Sequence, residues 1–264
     1  MRLDIYLLEN NYCETRSKAS QLIKNHKVLV NDKVITKNGF EVKETDKVRI
    51  LENDVLKYVS RGGLKLEKAI SYFSLDFKDK VICDIGSSTG GFTDCSLLFG
   101  AKKVYAIDVG SNQLHESLRN RSDVIVYENT NFKDVTVSLF KDKIDYFVCD
   151  VSFISIRQII NKLVSLYKDF TLICLFKPQF EVGPSKLNHN GVVKSNNDIL
   201  NALNDFEIYL KNKNINILNC TYSPILGNKQ GNKEFLFHLS TSGTSIDFNY
   251  EEIISSAKDY FNEK

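Results

Sequence analysis

No apolar run in the 264 residues approaches the roughly 20 needed to span a bilayer. The opening stretch, "MRLDIYLLENNYCETRSK", sets acids among its apolar residues and has no small-residue cleavage site, so it does not read as a signal peptide. None of the six cysteines, at 13, 83, 95, 149, 174 and 220, forms a C-x-x-C pair. Cys83, Cys149 and Cys174 fall inside apolar, strand-like runs. Buried, reduced thiols in a cytoplasmic protein are expected, with no metal site. Charge of one sign is scarce too: the net charge is +2, so composition alone does not announce a nucleic-acid binder. Residues 1–60 carry 11 Lys and Arg against 9 Asp and Glu, and the remainder carries 24 against 24, so the whole excess lies in the first sixty residues. Internal repeats and low-complexity tracts are missing. What is present, 42% apolar and 26% charged residues, is ordinary for a globular protein of one large domain or two.

The first fifty residues predict a compact ααβββ module. Helices are expected at 3–10 and 15–25, the second capped by Thr15 and striped by Ala19, Leu22 and Ile23. A hairpin follows at 27–35 around Asn31 and Asp32, then a strand at 46–51. The pattern divides the chain into a module at 1–56, a connector at 57–63 ending in a glycine pair, and a body at 64–264. The body alternates. Strands are expected at 80–85, 103–108, 124–127, 144–150 and 171–177, and helices at 64–73, 92–99, 112–119, 154–167 and 196–212. Runs such as "TLICLF" and "DYFVCD" are apolar on both faces, as a parallel sheet covered by helices requires. Two closing strands, 215–222 and 233–240, have only a turn-rich loop between them and predict a hairpin, with a last helix at 250–262. The expectation is an α/β body whose mostly parallel, seven-stranded sheet ends in an antiparallel hairpin.

The stretch "DIGSSTGGFTD", 84–94, stands between a strand and a helix. A nucleoside triphosphate loop needs Lys after its second glycine, and here the glycine pair precedes Phe92. A dinucleotide loop needs G-x-G-x-x-G, and the glycines fall at 86, 90 and 91. The loop has no base, and Asp84 would repel phosphate. A second acid, Asp108, ends the next strand, where a carboxylate can accept both hydroxyls of a ribose. A cationic or zwitterionic nucleoside fits, and S-adenosylmethionine is one. A tight turn with no ligand is the competing reading of adjacent glycines.

Four charged residues stand where the apolar pattern expects none: Lys65 at the start of a helix, Asp150 and Lys177 at carboxyl ends of strands, and Glu234 before the last strand. That sheet edge is where open α/β folds bind ligands. Solvated strand ends are the bland reading of each alone. Together they suggest methyl transfer to a hydroxyl such as a ribose 2′-OH, whose proton is hard to remove without a positioned group. Lys177 would meet the hydroxyl, Asp150 would hold the lysine and the sulfonium end, and Lys65 and Glu234 would fix the target nucleotide.

The motifs "YVSRGGLKL", "DIGSSTGGFTD", "AIDVG", "CDVSFIS", "LFKPQFEVG" and "GNKEFLF" resemble, in order and spacing, those of the TlyA family of ribosomal RNA 2′-O-methyltransferases, which also carries the older name hemolysin. The resemblance runs from Arg2 to about residue 240. It implies an FtsJ-like, Rossmann-like class I methyltransferase domain using S-adenosylmethionine. It also implies a Lys-Asp-Lys-Glu tetrad on Lys65, Asp150, Lys177 and Glu234. The cofactor residues it implies are Asp84, Gly86, Ser87, Ser88, Thr89, Gly90, Gly91, Phe92, Asp108, Val109, Asn131 and Asp150, with Asn131 near the adenine. The N-terminal module is similar to the αL RNA-binding domain named for the fourth small-subunit ribosomal protein. By that likeness Arg2, Arg16, Lys18, Lys24, Lys27 and Arg61 would meet RNA phosphates. One departure is "NH", Asn25 and His26, in a turn that usually carries Gly; Asn tolerates a left-handed backbone.

The implied partner is ribosomal RNA or a ribosomal subunit. The start at "MRLD" favours a cytidine of the large subunit, and the closing helix keeps the small subunit open. A membrane-active hemolysin would need an apolar or amphipathic membrane segment or an export signal, and the sequence shows neither. A non-catalytic RNA-binding protein would not need the four charged residues and the glycine loop intact, and a nicotinamide dehydrogenase is set aside by glycine spacing.

Overall fold

The computed structural model describes all residues except 14, 25, 52–56, 228–230 and 263–264. It divides into two units, Met1–Lys57 and Tyr58–Lys264.

In the first unit, helices α1 (Leu3–Glu9) and α2 (Arg16–Lys24) pack on strands β1 (Val28–Val30), β2 (Lys33–Val34) and β3 (Val48–Ile50), with β1 central and antiparallel to both neighbours. Thr15 Oγ1 accepts the Lys18 amide at 3.1 Å and caps α2 as expected. Leu3, Leu7, Ala19, Leu22, Ile23, Val28, Val30 and Val42 make its small core. The β1–β2 turn puts Asn31 at φ +50° and Asp32 at +61°, both left-handed, matching the strand twist. In the "NH" turn the left-handed residue is His26, at φ +61°. Asn25, expected to take that role, lies outside the described residues.

The second unit holds α3 (Gly62–Tyr72), β4 (Val81–Ile85), α4 (Gly91–Leu98), β5 (Lys103–Ile107), α5 (Glu116–Arg119), β6 (Val124–Tyr127), β7 (Tyr146–Cys149), α6 (Ile156–Leu166), β8 (Thr171–Phe176), α7 (Asn196–Asn212), β9 (Asn216–Tyr222), β10 (Phe235–Ser240) and α8 (Tyr250–Asn262). Its seven-stranded sheet has the order β6-β5-β4-β7-β8-β10-β9. The first five strands are parallel, and β10 runs antiparallel between β8 and β9. The parallel sheet, its closing hairpin and the small α+β module ahead of it are the predicted architecture.

Each face of the sheet has a core, as alternation along a doubly covered strand requires. Cys83, Ile85, Phe147, Cys149 and Cys174 face α6 and α7, and all six cysteines are buried. Ile82, Val148, Ile173 and Leu236 face α3 and α4. By the same alternation Asp84 faces the α3–α4 side.

Two expectations are corrected. The helix expected at 112–119 is only Glu116–Arg119. Residues Asn112, Gln113 and Leu114 give their amides to Glu128 instead, at 2.8, 2.8 and 3.1 Å, which ties this stretch to the residue after β6. The stretch 57–63, expected as a connector, belongs from Tyr58 onward to the second unit. Tyr58 is 1% exposed in the α3–α4 core, and Gly62 and Gly63 already lie in α3.

Candidate active site

The strand order reverses between β4 and β7, and ligands of open α/β sheets bind beyond the carboxyl ends of strands at such a point. Asp84 lies in β4, and Asp150 follows the last residue of β7. Lys177 follows β8. Because β10 is antiparallel to β8, with Phe235 opposite Phe176, its first end lies at the same edge, and Glu234 sits beside Lys177 rather than across the sheet. Lys65 comes from the second turn of α3.

The four side chains form one chain of ion pairs. Lys65 Nζ is 2.9 Å from Asp150 Oδ2 and 2.8 Å from Glu234 Oε2, and Lys177 Nζ is 2.6 Å from Asp150 Oδ1. Lys65, Lys177 and Glu234 are buried, at 7%, 6% and 3% exposure. Burial opposes charge on Asp150, but Lys65 and Lys177 outweigh it and bring its carboxyl to about 2. Burial likewise works against the Lys65 ammonium, and Asp150 and Glu234 overcome it, so its pKa is raised. Two lysines against two carboxylates leave the cluster without net charge, so each ion's desolvation is partly offset by its partners.

Beside it lies the glycine loop. Asp84 is 1% exposed; its Oδ2 accepts the Thr93 hydroxyl at 2.7 Å, and its Oδ1 has no partner. Burial, with Asp150 and Asp108 adding to it, pushes this carboxyl up to about 7. Asp108 accepts the Ser88 and Gly110 amides, each at 2.7 Å, which fixes its carboxylate at the end of β5. Val109, next to it, is 66% exposed. The Gly86 and Ser87 amides bond to Ile107, tying the loop to β5. Ser88 and Thr89 are exposed at its tip. Gly90 has φ +95°, and a Cβ there would strike Leu114 and Leu118. A Cβ on Gly91 would strike Ser60 Oγ and stand 2.8 Å from the Gly63 nitrogen. These two glycines therefore let α3 and the 114–118 segment close on the loop. Phe92 is 4% exposed in the core with Tyr58 and Leu66, so its side chain packs inward. Asn131 is exposed, and its Oδ1 accepts the Lys133 amide at 3.1 Å. An unpartnered buried carboxylate oxygen, two further acids and no base in the loop fit a nucleoside with a cationic end.

The structure adds residues that the sequence reading did not single out. Lys177 Nζ also donates to Ser152 Oγ at 2.7 Å. Gln179 Nε2 donates to Glu234 Oε1 at 3.4 Å. Phe153 is 84% exposed at φ +69°, with its ring 5.6 Å from Phe180. Glu181 accepts the Ser155 hydroxyl at 2.8 Å and the Ile156 amide at 2.9 Å, tying the start of α6 to the turn after Lys177. "CDVSFIS" and "KPQFE" contained these residues, but a serine or phenylalanine in a loop gives no periodicity to read.

Arg61 is exposed where α3 begins. In the first unit Arg2 and Arg16 are both bonded to Asp4, Lys24 is exposed in the last turn of α2, and Lys18 and Lys27 are half-buried.

A parallel sheet with this order and closing hairpin, carrying an acidic glycine loop beside a buried Lys-Asp-Lys-Glu cluster, points to a methyltransferase. The family model described as FtsJ-like methyltransferase matches residues 58–241, and that described as S4 domain matches residues 1–48. The chain belongs to the FtsJ-like methyltransferases, and among them to the TlyA family. It is 42% identical over 247 residues to a Brachyspira hyodysenteriae protein named Hemolysin A, covering 90% of this chain and 99% of that one. It is 38% identical over 256 residues to the 23S rRNA (cytidine-2′-O)-methyltransferase TlyA of Campylobacter jejuni, covering 90% and 98%. A solved structure of a Streptococcus thermophilus protein called a hemolysin superposes with a TM-score of 0.78 at 33% identity, over 100% of this chain and 97% of that one.

Proposed function

We propose that this chain transfers the methyl group of S-adenosylmethionine to the ribose 2′-oxygen of a cytidine in ribosomal RNA, in the cytoplasm, with large-subunit RNA the favoured target. The observation that carries the reading is the neutral, buried Lys65–Asp150–Lys177–Glu234 cluster opening beside the acidic loop. The name of the Campylobacter relative supports the substrate. When bound, S-adenosylmethionine supplies a methyl group on a sulfonium leaving group.

In this reading Asp108 would take the cofactor's ribose hydroxyls, Val109 and Asn131 would meet its adenine, and Asp84 and Asp150 would face its cationic end. Lys177 Nζ donates to Ser152 Oγ and stands against Asp150 Oδ1 as an ion pair. Once its ammonium has given up one proton to solvent, the lone pair of Lys177 would accept the target hydroxyl, hold it in line and take up its proton as the oxygen gains the methyl group that S-adenosylmethionine would supply. Lys65 and Glu234 lock Asp150 in register, so positioning carries the catalysis. Phe153 offers an exposed aromatic face on which the target base can stack. Its left-handed backbone, costing roughly 1–3 kcal/mol, is the kind of strain that persists at working sites. Among the described residues no helix is long and apolar enough to cross a membrane.

The test is methyl transfer from labelled S-adenosylmethionine to subunits purified from cells lacking this enzyme. Lys177→Ala should abolish transfer while retaining cofactor affinity within about threefold, a loss of at least 10²-fold in rate being typical of a positioned acid–base group. Transfer that survives Lys177→Ala at parental rate would remove the lysine from the reaction.

A further inference from the structure

We propose that Asp4 is a positioning residue of the RNA-binding surface in residues 1–57: a buried carboxylate that raises RNA affinity by fixing Arg2 and Arg16 as one phosphate-binding pair. The inference rests on the ribosomal RNA reading above, which supplies the polyanion.

Asp4 is 3% exposed, in the first turn of α1 between the core residues Leu3 and Leu7. A lone carboxylate would not stay charged there. Arg2 lays one edge of its guanidinium along it, Nε to Oδ1 at 3.0 Å and Nη2 to Oδ2 at 3.2 Å. Arg16, at the start of α2, adds Nε to Oδ2 at 2.9 Å. One buried anion thus gathers cations from the beginnings of two helices. The bonds from Arg2 and burial act in opposite senses on the carboxyl, and with the help of Arg16 the arginines prevail and hold it near 2, so Asp4 is charged at any working pH.

The arginines are not consumed by the arrangement. Their side chains remain 50% and 58% exposed. Each guanidinium carries five N–H groups, and only the edge bearing Nε is engaged with Asp4. Two guanidiniums this close would otherwise repel each other and splay apart, and each long side chain would sample many rotamers. Pinned, they present fixed donors to a phosphate, which favours bidentate contact and lowers the ordering cost on binding. If Asp4 served the fold alone, an apolar residue at this position in α1 would do as well or better, since a buried ion pair seldom adds net stability over packed hydrocarbon.

The sign of the effect separates this proposal from simple electrostatics. Removing a negative charge from a nucleic-acid-binding surface should tighten binding, whereas the proposal requires that it weaken. The full chain is titrated with in-vitro-transcribed 23S ribosomal RNA over a range of salt. Asp4→Asn, nearly isosteric, should bind about tenfold more weakly at fixed salt, and its slope of log K against log salt should fall by about one or two, for the one or two phosphate contacts no longer organised. In an Arg2→Ala, Arg16→Ala background the same change should have no further effect, which a general loss of structure would not reproduce. Arg16→Lys leaves Asp4 intact on an exposed side chain, keeps the charge and removes the pinned edge; it should bind at least threefold more weakly. Parental or tighter binding by Asp4→Asn with a parental melting temperature, or parental binding by Arg16→Lys, overturns the proposal. Parental binding by the double arginine variant would instead overturn the RNA reading of this surface, whatever Asp4 does.

Discussion

Asp84 is the residue whose environment has the most direct thermodynamic consequence. Its carboxyl is pushed from an ordinary value of 3.8 to about 7 by burial, with Asp150 and Asp108 adding to it and Thr93 opposing. A carboxyl whose pKa is raised by folding contributes stability that is complete below about 4 and lost as pH rises through about 7. Three units correspond to on the order of 4 kcal/mol at most. Urea denaturation of parent and Asp84→Asn should therefore diverge with pH: the variant gains on the parent between pH 4 and pH 8, while losing cofactor affinity. A constant difference across that range would contradict the burial argument. Phe153 belongs to the same scale. Phe153→Ala should raise KM for RNA by about tenfold and leave the cofactor Kd unchanged, since base stacking on an aromatic face is worth roughly 1–3 kcal/mol. Equal effects on both ligands would remove its assignment to the base.

Legibility differs at this scale for a physical reason. Asp150, Lys177 and Glu234 could be read because a charge at the end of a strand interrupts a continuous apolar run. Ser152, Gln179, Glu181 and Asp4 break no pattern; their significance comes from residues distant in sequence, such as Glu234 for Gln179 and Arg16 for Asp4.

At the scale of elements, the glycine loop joins two helices. The missing side chain of Gly91 lets α3, which carries Lys65, press against the start of α4. Gly91→Ala forces Ser60 and the Gly62–Gly63 backbone away. It should cost about 1–3 kcal/mol, as overpacking does, and should depress transfer more than cofactor binding because Lys65 moves with α3. A variant with parental stability and rate would show that the contact can relax. The segment after Asp108 is the element that periodicity misread. Four donors converge on Glu128, the amides of 112–114 and Arg119 Nη2 at 2.6 Å, and with the Arg119 bond foremost they hold its carboxyl near 2. A helix period says nothing of a carboxylate waiting just past the next strand. The β1–β2 turn and the Thr15 cap were readable because their chemistry is local. The helical start at Gly62 was not, because a glycine pair reads as a break and only its packing against Gly91 and Tyr58 shows why glycine is needed.

For the whole molecule, the strand set was legible because buried parallel strands are short, apolar and β-branched-rich, and the closing hairpin was legible from its turn-rich loop. The insertion of β10 between β8 and β9 was not, yet it is what brings Glu234 to the carboxyl edge beside Lys177. The tetrad is thus a product of topology: three of its members need the sheet order, and the fourth needs α3 folded over it. Methylation of a ribose oxygen by this assembly is tested by nucleoside mass spectrometry. Large-subunit RNA from cells lacking the enzyme is incubated with the protein and S-adenosylmethionine, digested, and compared with the Lys177→Ala reaction. New 2′-O-methylcytidine is expected in the parent reaction and none in the variant. A methyl group found on a base, or no new methylated nucleoside in either subunit's RNA from protein that binds the cofactor, would contradict it.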